Sequence, residues 1–210
     1  EQSILWHSIR KSLISGLFGI AVAERRIDAT QTLRSLEIDD LQGLSEIERS
    51  ARIVDLLTAR SGIYHPSAAE PASMRANRPA RGSHRPGTYW FYNNWDFNAL
   101  GTIYRRLTGD DIFQAFKAKI ADPIGMEHFR VDRCFYQTEP VSQHPAYHFR
   151  MSGRDLARFG LLYLNRGRDD GRQIIPSQWI ADSTRSYSNA QPGVGYGYMW
   201  WVALDGWHFG

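Results

Sequence analysis

Ser8 and Lys11 stand three residues apart at the start of the most apolar helical stretch in the chain, which sets a hydroxyl and an amine on one face, one turn apart. A serine hydroxyl is a weak nucleophile until a base takes its proton. A lysine desolvated by an apolar helix can be that base, because burial disfavours its ammonium form. The positive end of the helix also favours an oxyanion. This spacing arises readily by chance, and a surface Ser and Lys on an amphipathic helix account for it equally well. A tyrosine two residues before an asparagine adds a phenol for proton transfer and an amide to hold a substrate carbonyl. Three such pairs occur: Tyr92 with Asn94, Tyr163 with Asn165, and Tyr187 with Asn189. Tyr163 falls on the apolar face of a helix, which favours core packing, and Tyr187 lies in a polar, turn-rich stretch. Tyr92 stands at a loop-to-helix junction, where side chains can point into a cleft, and is the pair selected.

The elements that must position these groups are mostly helical. From Ser8 to Ala23 the residues Ile9, Leu13, Ile14, Leu17, Ile20 and Ala21 recur at helical spacing, predicting a helix that lies between layers. Ser45 and Glu48 form a capping-box pattern for a helix through Ile53, Leu56 and Leu57 that Gly62 can end. Residues 63–94, rich in Pro, Ala, Ser and Arg, read as a long loop whose closing aromatics Tyr89, Trp90, Phe91 and Tyr92 make it pack down. Asn94 or Asp96 can cap a helix with Phe97, Leu100, Ile103, Tyr104 and Leu107 on one face, stopped by Gly109. Asp110 and Asp111 open the next, through Ile112 to Ile120. Ser152 with Asp155 opens another along Leu156, Phe159, Leu162 and Tyr163, and Pro176 suits the first turn of a short helix. The run from Gly195 to Val202 is β-prone.

The 210 residues, 42% hydrophobic, suit one soluble domain, and no apolar run is long enough for a transmembrane helix. Ala21-Val22-Ala23 after an apolar stretch resembles a secretory cleavage site, but the basic pair Arg10-Lys11 follows nine residues including Glu1, and a buried helix explains the stretch better. A net charge of +3 is too small to imply nucleic acid, and a single cysteine, Cys134, excludes an internal disulfide. Arg75, Arg78, Arg81 and Arg85 read as a loop anchored by arginine hydrogen bonds rather than a nucleic-acid patch. His144 and His148 have i, i+4 spacing, yet Pro145 opposes a helix and no acid lies between them, so they read as structural. No metal or cofactor is called for.

The ordered set of Ser8-Ile9-Arg10-Lys11-Ser12, Leu56 to Gly62, Tyr92-Asn93-Asn94 with Leu100-Gly101, SGRDLARFG from Ser152, and Tyr196 to Trp201 resembles the serine hydrolases of the β-lactamase and penicillin-binding protein superfamily, class C enzymes, DD-peptidases and esterases in particular. The resemblance runs from Ser8 to about Trp201. It implies an α+β, β-lactamase/transpeptidase-like domain over 1–210, helix-rich, with an antiparallel sheet left incomplete by truncation at both ends. It implies Ser8 as acylated nucleophile, Lys11 as its base, Tyr92 as second proton-transfer group and Asn94 as substrate-orienting amide. The tryptophans beside Tyr92, Trp90 and Trp95, are expected to touch a small-molecule or peptide substrate. Export to the periplasm or medium would follow from the same likeness. The family's third motif, Lys or His, a small residue, then Gly, is matched only loosely by His208-Phe209-Gly210, which reads as a hairpin instead. The rival reading is a non-catalytic binding protein or inactive fragment on the same scaffold.

Overall fold

A computed structural model describes residues 3–5 and 7–203, with the strand backbone at 208–209. The chain enters through β1 (Ile4–Leu5) and turns into α1 (Arg10–Ala23), whose residues from Arg10 to Ala21 are all buried. α2 (Ile53–Leu57) and the short α3 (Ala72–Ala76) follow, then α4 (Asn94–Thr108) and α5 (Ile112–Phe116), which continues as a wider turn through Lys117–Ala121. A hairpin of β2 (Phe135–Glu139) and β3 (Ser142–His148) comes next, with β4 (Arg150–Met151) paired antiparallel to β1. α6 (Gly153–Leu164), the small hairpin of β5 (Arg168–Asp169) and β6 (Arg172–Gln173), and α7 (Ser177–Ser183) lead to β7 (Ser188–Gln191), β8 (Val194–Tyr196), β9 (Trp201–Ala203) and β10 (His208–Phe209). These last four form one antiparallel sheet in the order β10-β9-β8-β7.

Helix α1 is central because little on it is polar. Leu13, Ile14, Leu17 and Phe18 have no exposure, and its glycines let neighbours close in: a Cβ on Gly19 would overlap the Trp179 ring of α7. Helix α4 packs on one side against β3 in the same way, the ring of Tyr147 occupying the place of a Gly101 side chain. These close contacts bring the start of α1, the start of α4 and strand β3 around one point.

Several boundaries differ from the sequence reading, each for a local reason. Ser8 lies in the turn before α1, its carbonyl accepting from Lys11 N at 3.1 Å, and the helix proper starts at Arg10. The Ser45–Glu48 box forms, with Ser45 N donating to Glu48 Oε2 at 2.7 Å and Glu48 N to Ser45 Oγ at 3.2 Å. It opens only a 3-10 turn, because Ala51 is extended and α2 restarts on its own box between Arg52 and Asp55. Ala59, at φ 54°, takes the left-handed position directly after α2, and Gly62, at φ 71°, is a second one three residues on. Neither Asn94 nor Asp96 caps α4; Asn93 does, its side chain accepting from Trp95 N at 3.2 Å. Gly109 stops that helix at φ 70°. Asp111, not Asp110, caps α5, and Ser152 caps α6, while Pro176 precedes α7 as its cap. Asp155 does not close the Ser152 box: its carboxylate accepts from Glu127 N and His128 N and ties down the preceding loop. The run from Gly195 is two strands, broken by a turn in which Met199 has φ 62°.

The long loop packs down, with Ile63, Tyr64 and Ala68 buried. Three of its four arginines are anchored: Arg78 and Arg75 to Glu70, Arg81 to Glu48. The β2–β3 hairpin was not foreseen. Pro140 and Val141 turn it, and His144 and His148 share a strand face rather than a helix face.

Candidate active site

The start of α1, the residues just before and inside α4, the Ala69–Met74 segment, and the β2–β3 hairpin enclose a cleft of about 330 Å³. Ser8, Lys11, Tyr92 and Asn94 all line it. Lys11 Nζ lies 2.8 Å from Tyr92 Oη and 3.4 Å from Ser8 Oγ, so one nitrogen joins the hydroxyl to the phenol. Ser8 is exposed to the cleft, whereas Lys11 is only 3% exposed. The ammonium carbon chain runs under two rings, with Nζ 4.5 Å from the Tyr92 centroid and 4.8 Å from that of Phe97. Burial pushes the Lys11 amine well below the ordinary lysine value, and the charge of Arg10 pushes it further down. Burial also raises the Tyr92 phenol above its usual value, opposed by the Ser8 hydroxyl, the charge of Arg10 and Trp201. Both shifts favour the uncharged forms, an amine that accepts a proton and a phenol that keeps one, which is the direction a proton relay needs.

The pairs not selected sit elsewhere. Tyr163 is buried against Phe159 and Trp200, its phenol raised to about 12 by burial, and Tyr187 stacks on Tyr198 at 4.9 Å. The two tryptophans expected to meet substrate do not line this cleft. Trp95 has no exposure, and its indole N–H donates to Asp40 Oδ2 at 2.6 Å, so it fastens α4 to the scaffold. Trp90 packs edge-on to Trp201 and against Tyr196, facing a separate groove with Tyr89 and Tyr187.

Asn94 lines the cleft, as expected. One N–H of its Nδ2 donates to Ala69 O at 2.7 Å, which fixes the amide, and its Oδ1 is buried with no hydrogen-bond partner among the described residues. Arg10 and His148 also line the cleft, and neither was singled out as a site residue from the sequence. Arg10 was in plain sight inside the Ser8–Lys11 motif. His148 could have been found only by recognising the hairpin, for which Pro140 between two aromatic-bearing runs is the signal.

The backbone of His208 and Phe209 pairs antiparallel with β9, His208 opposite Val202 and Phe209 opposite Trp201, which is the hairpin expected of that segment. Gly210 lies outside the described residues. Among the described residues no group of three or more His, Cys, Asp and Glu is placed to hold a metal ion, and no helix is long and apolar enough to cross a membrane.

This arrangement of helices and small antiparallel sheets is the β-lactamase/transpeptidase-like fold. The family model for beta-lactamase matches residues 4–210, and the chain belongs to that family. Solved structures with the same fold include an octameric penicillin-binding protein homologue from Pyrococcus abyssi (20% identity, TM-score 0.71), covering 96% of this chain and 53% of that one. A penicillin-binding protein from Bacillus halodurans (15% identity, TM-score 0.70) covers 96% and 70% of the respective chains. A D-stereospecific amidohydrolase from Streptomyces sp. (20% identity, TM-score 0.67) covers 96% and 71%. The chain therefore spans about half the length of the Pyrococcus protein. No curated protein matches it at a significant level.

Proposed function

We propose that the protein is a serine hydrolase working through an acyl-enzyme on an ester, amide or β-lactam carbonyl. The observation that carries this reading is the single buried amine of Lys11 bonded to both Ser8 Oγ and Tyr92 Oη in an open cleft. Ser8 Oγ attacks the carbonyl carbon while its proton passes to the Lys11 amine, which burial keeps able to accept it. The Ser8–Lys11 distance of 3.4 Å is long for that transfer, and such contacts commonly tighten when substrate arrives. Collapse of the tetrahedral adduct breaks the bond to the leaving group. The leaving group takes its proton from Tyr92, which is reprotonated from Lys11 at 2.8 Å. Water then adds to the acyl-enzyme by the same relay in reverse, releasing the acid and restoring Ser8. The start of α1 favours the oxyanion electrostatically. That one structural neighbour is described as an amidohydrolase supports carbonyl hydrolysis as the chemistry class.

The test is intact mass after incubation with a fluorophosphonate and, separately, with a penicillin, followed by peptide mapping. An adduct on the Ser8 peptide that disappears in Ser8→Ala supports the reading, and the penicillin arm separates β-lactam recognition from general esterase chemistry. No adduct with either reagent favours a binding protein.

A further inference from the structure

The stretch from Leu56 to Gly62, one of the segments on which the family resemblance rests, has no part in the relay at Ser8. Its end forms a turn, residues 59–63, that holds the chain on both sides of Tyr92. Just before Tyr92, Phe91 N donates to Ala59 O at 3.0 Å; just after it, Asn93 Nδ2 donates to Ile63 O at 2.5 Å. The turn is itself stiff. Ala59 and Gly62 both lie in the left-handed region, and a Cβ on Gly62 would fall 2.6 Å from His84 O.

Asp96, 1% exposed, sits where this turn meets α4. Its Oδ1 accepts from Ser61 Oγ at 2.5 Å and from Asn93 Nδ2 at 3.3 Å. Ser61 Oγ accepts from Ile63 N at 3.0 Å, and its single proton goes to Asp96. Asn93 Oδ1 accepts from Trp95 N at 3.2 Å, which turns the amide so that Nδ2 faces Ile63 O and Asp96. One carboxyl oxygen thus closes a ring of hydrogen bonds through Ser61, Ile63 and Asn93. Burial pushes the Asp96 carboxyl well above the usual carboxylate range and the charge of Asp55 adds to this, while hydrogen bonds from Ser61 and Asn93 oppose it.

The ring matters for Tyr92 because of what else holds that side chain. Its phenol packs against Phe97 at 5.0 Å and Trp201 at 5.1 Å, and apolar contacts of this kind are not directional. The distance of 2.8 Å between Tyr92 Oη and Lys11 Nζ therefore depends on the backbone from which the ring hangs. We infer that Asp96 is a positioning residue for the proposed reaction, acting with Ser61 through Asn93 to hold Tyr92 against Lys11. The inference rests on the serine-hydrolase reading for the role of Tyr92 and adds the group that sets its place. Asp40 supplies the contrast: it too is a buried acid at this end of α4, but its bonds go to Trp95, Ser142, Leu41 and Gln143.

The test measures kcat/KM for phenyl acetate and 4-nitrophenyl acetate, per molecule titrated by a fluorophosphonate. The variants are Ser61→Ala and Asp96→Ala, each alone and combined with Tyr92→Phe. Ser61→Ala deletes one hydroxyl and carries the test even where Asp96→Ala is too unstable to purify. Phenoxide needs a proton as it leaves and 4-nitrophenolate does not, so the expected loss is about tenfold with phenyl acetate and under about threefold with the nitrophenyl ester. With Tyr92 already Phe, no further loss is expected. No selective loss with phenyl acetate, or a loss that adds to that of Tyr92→Phe, overturns the inference. If the wild type hydrolyses neither ester, that counts against the serine-hydrolase reading, and the ¹³Cζ signal of Tyr92, assigned through Tyr92→Phe, decides the positioning alone. The signal reports the hydrogen bond to Lys11. It is expected to move in Ser61→Ala, which removes no charge, and to hold in Asp40→Ala. A signal unmoved by Ser61→Ala, or moved as far by Asp40→Ala, overturns the inference.

Discussion

Two clusters of buried polar side chains flank α4, and they are built on opposite terms. Behind the helix, Asp40 receives Leu41 N and Gln143 N on one oxygen and Trp95 Nε1 and Ser142 Oγ on the other. Nearby Glu48 receives His65 Nε2 and Arg81 Nε on Oε1, and Ser45 N and Arg81 Nη2 on Oε2. Both carboxyls fall below their ordinary pKa: burial works against this and the donated hydrogen bonds outweigh it. In front of the helix, among the described residues, Lys11 has no acidic partner, and Arg10, Asn94 and His148 each keep an unpaired atom. The first cluster spends its hydrogen bonds on holding the loop, the hairpin and α4 together. The second leaves polar atoms unpaired, a cost that the frame held by the first can bear and that fits the proposed reaction at Ser8.

Removing the nucleophile separates the two most sharply. Ser8→Ala is expected to lower the acylation rate on the order of 10⁴-fold or more, with no measurable change in unfolding midpoint since Ser8 is exposed. Stopped-flow ester turnover and calorimetry on one preparation check both halves.

Lys11→Met is expected to cost about 10²- to 10⁴-fold in acylation and yet raise the unfolding midpoint at pH 7 by about 2–4 °C. The sign follows from linkage. Unfolded Lys11 holds a proton at every pH below its ordinary value, whereas folded Lys11 releases it down to its depressed pKa. The unfolded state binds more protons across that window, so the native state loses stability as pH falls, and Met removes the loss. Calorimetry from pH 6 to 10 should show the advantage of Met growing toward the acidic end.

Tyr92→Phe keeps the ring that covers Lys11 and removes the hydroxyl. The expected loss is about 10²-fold in kcat for a poor leaving group and less for 4-nitrophenolate, which needs no proton, read from the two substrates side by side.

Asp40→Ala attacks the other cluster. Leaving Trp95 Nε1, Ser142 and two backbone N–H groups unpaired should cost about 3 kcal/mol of stability in denaturant unfolding. Acylation per folded molecule, titrated by fluorophosphonate, is expected to change less than about threefold.

The residues that meet at the cleft were more legible in the sequence than the frame that holds them. Ser8, Lys11 and Tyr92 could be picked out because a hydroxyl, an amine and a phenol are recognisable as types, while whether Lys11 lay on a surface or was buried was left open by the sequence and is settled by the packing of α1. The caps at Gly109, Asp111 and Ser152 were legible for the same local reason. What stayed hidden depends on contacts far apart in the chain. Asn93 displaced Asn94 as cap because Asn94 is held by Ala69, and Trp95 looked like a cleft wall until Asp40, 55 residues away, captured its N–H. His148 reaches the cleft through a strand pairing with Phe135 that no periodicity in its own segment announces.

The central claim is that burial lowers the Lys11 amine enough for it to serve as the base next to Ser8. The direct test is the pH dependence of Ser8 phosphonylation by a fluorophosphonate, in the wild type and in Lys11→Met. The account predicts a wild-type rate that reaches its plateau well below the pH at which an ordinary lysine loses its proton, and a slow Lys11→Met rate without that limb. A wild-type rate that keeps climbing through the ordinary lysine range, or one unchanged by Lys11→Met, would contradict it.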